Sequence, residues 1–274
     1  MSTIKFAIAG LGRIGKIHLD NILQMDGVEV VAAMDPSKEC REYAKNNNIP
    51  FITSSYKDLI SMGDFSAILI CSPTNTHADY VEIAALAGKD VFCEKPLDLS
   101  LERVLKVLNI VNDSGVQLML GFNRRFDKEF KKVHELVKEG AVGKPHLVKI
   151  TSRDPGAPPV SYIKQSGGLF LDMTIHDFDM ARYIVANEIV EVYAKGAVLV
   201  DPDIGAAGDI DTAVVTLTYS DGSMAIIDNS REAAYGYDQR VEVFGSKGMV
   251  QSNNIFNDSH RLYTRKGIEG ALPL

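Results

Sequence analysis

Short apolar runs alternate with amphipathic stretches along the first 120 residues of the chain. The apolar runs are rich in β-branched residues and predict strands, whereas the stretches between them have the spacing of helices. This alternation is typical of βαβ units and of a parallel sheet covered on both faces. The predicted strands are Ile4–Ala9, Val28–Met34, Ala67–Cys71, Asp90–Cys93 and Val116–Leu120, and the predicted helices are Arg13–Met25, Lys38–Asn46, His77–Ala87 and Leu101–Val111.

The pattern changes after Gly121. A helix is predicted near Lys128–Lys138, and a long helix over Phe170–Val185 follows a proline- and glycine-rich loop, Asp154–Gly168. The strands predicted here are His146–Ser152, Val190–Val200, Thr212–Tyr219, Ser223–Asn229 and Arg240–Phe244. We therefore predict an α/β fold in two domains, with a doubly wound parallel sheet in residues 1–121 and an α+β domain with a mostly antiparallel, open sheet in residues 122–274.

Composition excludes several classes of protein. With 274 residues, of which 46% are hydrophobic and 24% charged, the chain can form two domains with ample cores. A net charge of −7 argues against a nucleic-acid partner. No apolar run is long enough for a membrane span and no secretion signal is evident, so we expect a cytoplasmic protein. The 3 cysteines include no CxxC pair, which argues against a disulfide framework and a zinc site.

A glycine-rich turn follows the first predicted strand. Gly10-Leu11-Gly12-Arg13-Ile14-Gly15 opens the next helix, and Asp35 closes the second strand. In a dinucleotide site, the first glycine permits the turn, the second lets backbone approach the pyrophosphate, and the third lets helix and strand pack closely. An acidic residue at the position of Asp35 accepts the ribose hydroxyls and repels the 2′-phosphate of NADP. The motif predicts a Rossmann domain that binds NAD; the alternative is a structural turn that binds nothing.

Polar residues also follow later strands, at the carboxyl edge where open α/β sheets bind ligands. Glu94-Lys95-Pro96 follows Asp90–Cys93. A lysine held there can lose part of its hydration and donate a hydrogen bond to a reacting oxygen; the alternative is a solvated turn with a charge pair. Candidate cofactor contacts are Glu94, Lys95 and, after the strand Ala67–Cys71, the residues Ser72, Thr74 and Asn75, for which helix capping is the alternative.

Asp172 and His176 lie four residues apart, so a regular helix places them on one face. Asp172 can orient the imidazole or bind a substrate hydroxyl. His176 can take a proton as a hydride leaves, because histidine side chains titrate near neutral pH. A hydrogen-bonded pair on the helix surface is the alternative. No metal is expected, because neither an HExxH pattern nor a nearby cysteine accompanies them.

Two consecutive arginines, Arg124 and Arg125, follow the strand Val116–Leu120. We expect Arg125 to donate hydrogen bonds to substrate oxygens through its planar fork. Four further histidines have no evident partner in the sequence and are predicted to be surface or structural residues: His18, His134, His146 and His260.

The order of these motifs along the chain resembles that of the Gfo/Idh/MocA oxidoreductase family. The motifs are the glycine turn with Asp35, then Glu94-Lys95-Pro96, then Gly167-Gly168 followed by Asp172 and His176. The runs 152–159 and 167–182 are similar to the inositol 2-dehydrogenases within it. This resemblance implies an NAD-dependent enzyme that oxidises a secondary alcohol of a cyclic polyol, with myo-inositol the leading substrate.

The resemblance also implies roles for individual residues. His176 would be the acid/base, Lys95 would polarise the reacting oxygen, and Asp172 would bind or orient. The implied polyol contacts are Lys95, Arg125, Asp154, Asp172, His176 and Tyr235.

Several alternatives remain open. The enzyme could act on scyllo-inositol or an aldose, or the chain could be a dinucleotide-responsive regulatory protein with little turnover. Relatives in this family continue into C-terminal helices. Because this sequence stops at residues 271–274, we expect a second domain that is shortened at its C-terminal end. We also expect a homo-oligomer, a dimer or a tetramer, because the antiparallel sheet has an outer face that no predicted element covers.

Overall fold

The first half of the chain folds into a parallel sheet because its strands are short apolar runs that can be buried on both faces. The computed structural model describes residues 3–254, 261–264 and 266–270; the predictions for His260 and residues 271–274 lie outside them. The chain divides into two compact units, Met1–Gly121 and Phe122–Leu274. The first contains strands β1 (Ile4–Ala9), β2 (Val28–Met34), β3 (Phe51–Thr53), β4 (Ala67–Ile70), β5 (Asp90–Cys93) and β6 (Leu118–Leu120), and helices α1 (Arg13–Ile22), α2 (Lys38–Asn46), α3 (Tyr56–Met62), α4 (Thr74–Leu86) and α5 (Leu101–Ser114).

The strand order in this unit is β3-β2-β1-β4-β5-β6, and all pairs are parallel. Ala7 and Ala9 of β1 pack on one face of the sheet, whereas Ile8 packs on the other face against Leu19 of α1. The order reverses between β1 and β4, which is the switch point where open α/β sheets bind ligands. The predicted doubly wound sheet is confirmed, and β3 and α3 are additional to the predicted elements.

The second unit begins with a 3₁₀ turn, Asn123–Phe126, and contains a six-stranded sheet of order β12-β11-β7-β10-β9-β8. Its elements are α6 (Lys128–Lys138), β7 (Pro145–Arg153), α7 (Val160–Ser166), a π-helical turn (Phe170–Thr174), α8 (Ile175–Val185), β8 (Ile189–Ala197), α9 (Pro202–Ala206), β9 (Thr212–Tyr219), β10 (Met224–Ser230), β11 (Asp238–Gly245), β12 (Gly248–Ser252), β13 (Arg261–Thr264) and β14 (Gly267–Gly270). Only β7 and β10 pair in parallel within the six-stranded sheet, which confirms the predicted mostly antiparallel sheet.

One face of this sheet is buried by helices and the other is exposed. Val148 and Ile150 of β7 pack against Phe130 of α6 and Met180 of α8. The opposite face and the edge strand β8 expose large apolar side chains: Val190, Val192, Tyr193, Val214, Met224, Phe244 and Met249.

Two predictions for the second unit are wrong in detail. The segment Asp154–Gly168, predicted to be a loop, contains helix α7. The segment Phe170–Val185, predicted to be one regular helix, begins with the π-helical turn and becomes α-helical only at Ile175. The hydroxyl of Thr174 donates to Oδ1 of Asn229 at 2.6 Å, a contact outside the helix that periodicity cannot reveal. Across the described ranges, no helix is both long and apolar enough to cross a membrane.

Candidate active site

Close backbone contacts build the glycine turn between β1 and α1. Gly10 has a φ of +93°, and a Cβ there would lie 2.5 Å from the backbone nitrogen of Ser72. A Cβ on Gly15 would lie 2.0 Å from the carbonyl oxygen of Gly10. By contrast, apart from Gly12 and its two chain neighbours, no described atom lies within 4 Å of a Cβ built on Gly12, the residue that precedes α1. The first and third glycines are therefore required by the turn itself, whereas the space over Gly12 can admit a pyrophosphate.

The carboxylate of Asp35 is hydrogen-bonded both to this turn and to the loop after β2. Its Oδ2 accepts a hydrogen bond from the backbone N–H of Leu11 at 2.7 Å, and its Oδ1 accepts one from Ser37 at 2.8 Å. Each carboxylate oxygen has a further lone pair, so ribose hydroxyls can still donate to it. Arg13 and Ile14 form the first turn of α1, where backbone N–H groups lack intrahelical partners and favour anions. These residues fit a dinucleotide.

His77 ties together the loops after β4 and β5. This residue is buried, with its Nδ1 2.8 Å from the carbonyl oxygen of Pro96 and its Nε2 2.7 Å from that of Ser72. The two segments that carry Thr74 and Lys95 are therefore linked through one side chain. No function was predicted for His77, because in sequence it is an ordinary position near the start of a helix.

His18 of α1 contacts Glu94, the residue before Lys95. Its Nε2 lies 2.7 Å from Oε1 of Glu94, and its ring meets Phe92 edge-on with centroids 5.0 Å apart. A Cβ on Gly121 would lie 2.9 Å from Oε2 of Glu94, so glycine at this position leaves room for the carboxylate. His18 and Glu94 are 76 residues apart, and no local spacing rule could have paired them.

In the second unit, both carboxylate oxygens of Asp172 accept hydrogen bonds. The hydroxyl of Tyr162 donates to Oδ1 at 2.8 Å, and Nη1 of Arg231 donates to Oδ2 at 2.8 Å. Asp172 lies in the π-helical turn, whereas His176 lies in the first turn of α8, with its ring edge-on to Phe122 at 6.3 Å between centroids. Tyr162 and Arg231 were not predicted, because one lies in a segment predicted to be a loop and the other follows a strand without a motif.

Asp154, which follows β7, faces several charged groups near Asp172. Burial raises the pKa of Asp154, and the charge of Asp172 raises it further, whereas Arg231 and Arg124 oppose the shift. Burial also raises the pKa of Tyr237, which is hydrogen-bonded to Asp154. Asp154 and Asp172 are therefore two nearby carboxylates with compensating arginines, a combination that suits the binding of several hydroxyl groups.

The two adjacent arginines lie in different environments. Arg125 donates from Nε and Nη2 to the carboxylate of Asp179 at 2.8 and 2.5 Å. Arg124 is more buried and pairs with Asp177. Arg125 is the predicted substrate contact, but the charge of Arg124 is the one that acts on Asp154.

Tyr235, another predicted substrate contact, belongs to a separate network. Its hydroxyl donates to Oδ2 of Asp238 at 2.6 Å and accepts from Nη1 of Arg153 at 2.9 Å. Tyr237, two residues further on, is the tyrosine bonded to Asp154. The roles of Arg125 and Tyr235 in substrate binding stay predictions.

Asp177 is fully buried beneath this region. Burial raises its pKa, opposed by the charge of Arg124 and by hydrogen bonds from Asn229 and other neighbours. Nδ2 of Asn229 donates to Oδ2 of Asp177 at 2.8 Å. Within the described residues, no three His, Cys, Asp or Glu side chains are grouped to hold a metal ion.

A cavity of about 470 Å³ opens beside Arg124 in the second unit. Tyr237 and Gln239 also line it, whereas Asp172 and His176 do not. Nε2 of Gln239 donates to Oγ of Ser152 at 2.8 Å, as does Nη2 of Arg124. Polar side chains therefore line part of the cavity, which adjoins the cluster around Asp154.

Comparison with known families agrees with this geometry. Residues 4–122 match the oxidoreductase family with an NAD-binding Rossmann fold, and residues 130–251 match the GFO/IDH/MocA C-terminal domain. The chain belongs to the Gfo/Idh/MocA family. It is therefore an NAD-dependent oxidoreductase, and the family resemblance in the sequence is confirmed.

Similar proteins include enzymes named for inositols. The chain is 53% identical over 248 residues to an uncharacterised oxidoreductase, YrbE, of Bacillus subtilis, covering 90% of this chain and 73% of that protein. It is 48% identical over 269 residues to a myo-inositol 2-dehydrogenase of Thermotoga maritima, covering 98% and 80%. A scyllo-inositol dehydrogenase of Lactobacillus casei, solved with NAD(H) and scyllo-inositol, superposes with a TM-score of 0.90 at 33% identity, covering 98% and 82%.

Proposed function

We propose that this protein oxidises a secondary alcohol of a cyclic polyol, with myo-inositol as the leading substrate and 2-keto-myo-inositol as the product. The observation that supports this proposal is the cluster of Asp154, Asp172, Tyr237 and Arg231, which offers both acceptors and donors to a ring bearing many hydroxyls. The similarity to a myo-inositol 2-dehydrogenase supports the same substrate class. In this reading, residues 122–274 bind the substrate.

Each member of the catalytic set has a proposed task. His176 takes the proton of the reacting hydroxyl, Lys95 donates a hydrogen bond to the reacting oxygen, and Asp172 accepts a hydrogen bond from the polyol. NAD, when bound, accepts a hydride at C4 of its nicotinamide ring. Because hydride transfer requires aligned carbon atoms, positioning by these side chains supplies much of the rate.

The cofactor contacts follow from the turn after β1. We assign the pyrophosphate to the backbone of Gly10, Gly12 and Gly15 together with the first residues of α1, Arg13 and Ile14. Further proposed contacts come from the loop after β4, the start of α4 and the loop after β5: Ser72, Thr74, Asn75, Glu94 and Lys95.

Wild-type protein is expected to prefer NAD to NADP, because the carboxylate of Asp35 repels a 2′-phosphate. Asp35→Ala should lower kcat/KM with NAD and bring it closer to kcat/KM with NADP. The same change removes the hydrogen bonds to Leu11 and Ser37, so the melting temperature must be measured alongside. The measurement is kcat/KM with each cofactor for both proteins; a wild-type preference for NADP contradicts the assignment of Asp35.

Turnover on a polyol panel tests the proposed function directly. We expect NADH formation, followed by its absorbance, with myo-inositol giving the highest kcat/KM among inositol isomers and aldoses. If kcat/KM is highest with scyllo-inositol or an aldose, that compound becomes the proposed substrate instead of myo-inositol. Binding of NAD without turnover on any polyol would support the regulatory alternative instead.

Two further expectations concern assembly and location. The exposed apolar face of the second sheet supports a homo-oligomer, since an apolar surface of this kind is stabilised by association. Light scattering measures the oligomer size. The cytoplasmic location expected from the sequence stays a prediction.

A further inference from the structure

Arg231 is a buried arginine that belongs to none of the predicted motifs. It is 1% exposed, and its guanidinium lies between two carboxylates. Nη1 donates to Oδ2 of Asp172 at 2.8 Å, and Nη2 lies 3.7 Å from Oδ2 of Asp209. Within the described part of the chain, its Nε and Nη2 make no hydrogen bond. A buried charge with so few bonds is costly, which means that packing alone does not account for arginine at this position.

Asp209 connects Arg231 to the diglycine that precedes the π-helical turn. Oδ1 of Asp209 accepts a hydrogen bond from the backbone N–H of Leu169 at 3.0 Å. Gly168 has a φ of +81°, and a Cβ there would lie 2.8 Å from the same oxygen. Glycine is therefore needed for Asp209 to approach this backbone. The contacts run from Gly168 through Asp209 and Arg231 to Asp172.

Charged and titratable groups face Asp172 from three neighbouring segments. Tyr162 of α7 donates to Oδ1, Arg231 after β10 donates to Oδ2, and Asp154 after β7 is a like charge. Two nearby carboxylates disfavour each other's ionisation, whereas a bonded guanidinium favours it. Of the three groups named here, Arg231 is a cation and donates a hydrogen bond directly to Asp172.

We propose that Arg231 is a positioning residue for Asp172, which fixes the direction of its carboxylate and keeps it ionised as an acceptor for the substrate. Donors on both oxygens hold the carboxylate plane, and a carboxylate oxygen can accept more than one hydrogen bond, here from a polyol hydroxyl. The inference rests on the proposed role of Asp172 in substrate binding and catalysis.

Two substitutions separate the charge of Arg231 from its geometry. Arg231→Gln should lower kcat/KM for the polyol roughly 10²-fold, because the carboxylate is no longer held in place. It should also move the acid limb of the kcat/KM profile to higher pH, since a carboxylate without its cation is protonated more easily. Arg231→Lys keeps the charge without the planar fork, so kcat/KM should fall about tenfold while the acid limb stays at its wild-type pH.

Controls make these effects specific. Arg182→Gln removes an exposed ion pair with Glu188 in the same unit and should leave the pH profile and kcat/KM unchanged. NAD affinity, measured by calorimetry, should be unchanged in all three variants, because the glycine turn is not altered. Melting temperatures identify any variant that does not fold.

An acid limb at its wild-type pH in folded Arg231→Gln overturns the proposal. A wild-type kcat/KM in Arg231→Lys also overturns the proposal. This second result can be obtained even if Arg231→Gln does not fold. Wild-type protein that turns over no polyol refutes the proposed function, whereas active wild type with Arg231 variants that match it refutes only the role of Arg231.

Discussion

Lys95→Ala should reduce kcat with the preferred polyol by roughly 10²- to 10⁴-fold, the range found when a group that assists proton transfer is removed. In the proposed mechanism, its ammonium group donates to the reacting oxygen, where negative charge develops as the proton leaves. Because this interaction strengthens toward the transition state, kcat should fall far more than NAD affinity changes. His77 contacts the carbonyl oxygen of Pro96, so the loop after β5 keeps an anchor independent of the lysine side chain.

The experiment compares kcat and NAD affinity for wild type, Lys95→Ala and Lys106→Ala. Lys106 is an exposed residue of α5 and provides the matched loss of one ammonium group. It should behave as wild type. Lys95→Ala with more than a tenth of the wild-type kcat would remove Lys95 from the catalytic set, and a loss of NAD affinity as large as the loss of kcat would limit its role to cofactor binding.

Gly15→Ala should lower the stability of the protein, whereas Gly12→Ala should lower its affinity for NAD. A Cβ at Gly15 would overlap the carbonyl oxygen of Gly10, so Gly15→Ala should lower the free energy of unfolding by about 3 kcal/mol or prevent folding. Gly12→Ala meets no described atom within 4 Å and should change that free energy by only about 0.5 kcal/mol. Its methyl group would instead lie where the pyrophosphate approaches, and NAD affinity should fall at least about tenfold, or about 1.4 kcal/mol.

Urea denaturation and calorimetric titration with NAD distinguish these outcomes. Gly27→Ala serves as a control for substitution at a glycine that is remote from the proposed cofactor contacts: its φ is +78°, so some strain is expected, but NAD affinity should not change. Unchanged NAD affinity in Gly12→Ala would show that the pyrophosphate does not approach this backbone. Wild-type stability in Gly15→Ala would mean that the turn relaxes around the added carbon.

Local sequence patterns were sufficient where each element depends on its own residues. The bounds of β1, β2 and β5 match the predicted strands Ile4–Ala9, Val28–Met34 and Asp90–Cys93, because each is an apolar run bounded by turn residues. Ser100, which precedes α5, accepts a hydrogen bond from the N–H of Arg103, as an N-cap does. By contrast, β3 has only three residues, too few for alternation to be recognised.

The contacts that organise the site depend on distant partners. Arg231 and Asp172 are 59 residues apart, and Arg124 and Asp177 are 53 apart. Spacing rules relate residues within one element, so they identify Asp172 but not Arg231, which donates a hydrogen bond to it. They also do not distinguish Arg125 from Arg124, because adjacent identical residues differ only in the direction that the folded backbone gives them.

Because of the π-helical turn Phe170–Thr174, the position of Asp172 depends on the number of residues in this segment as well as on their identity. Its wider hydrogen-bond ladder accommodates one residue more than an α-helical turn would. Deleting a residue between Asp172 and α8 would replace this turn by a regular helical one and move Asp172 relative to α8. The carboxylate at Asp172 would then turn away from Tyr162 and Arg231, so insertions and deletions in this turn are expected to be less tolerated than conservative replacements.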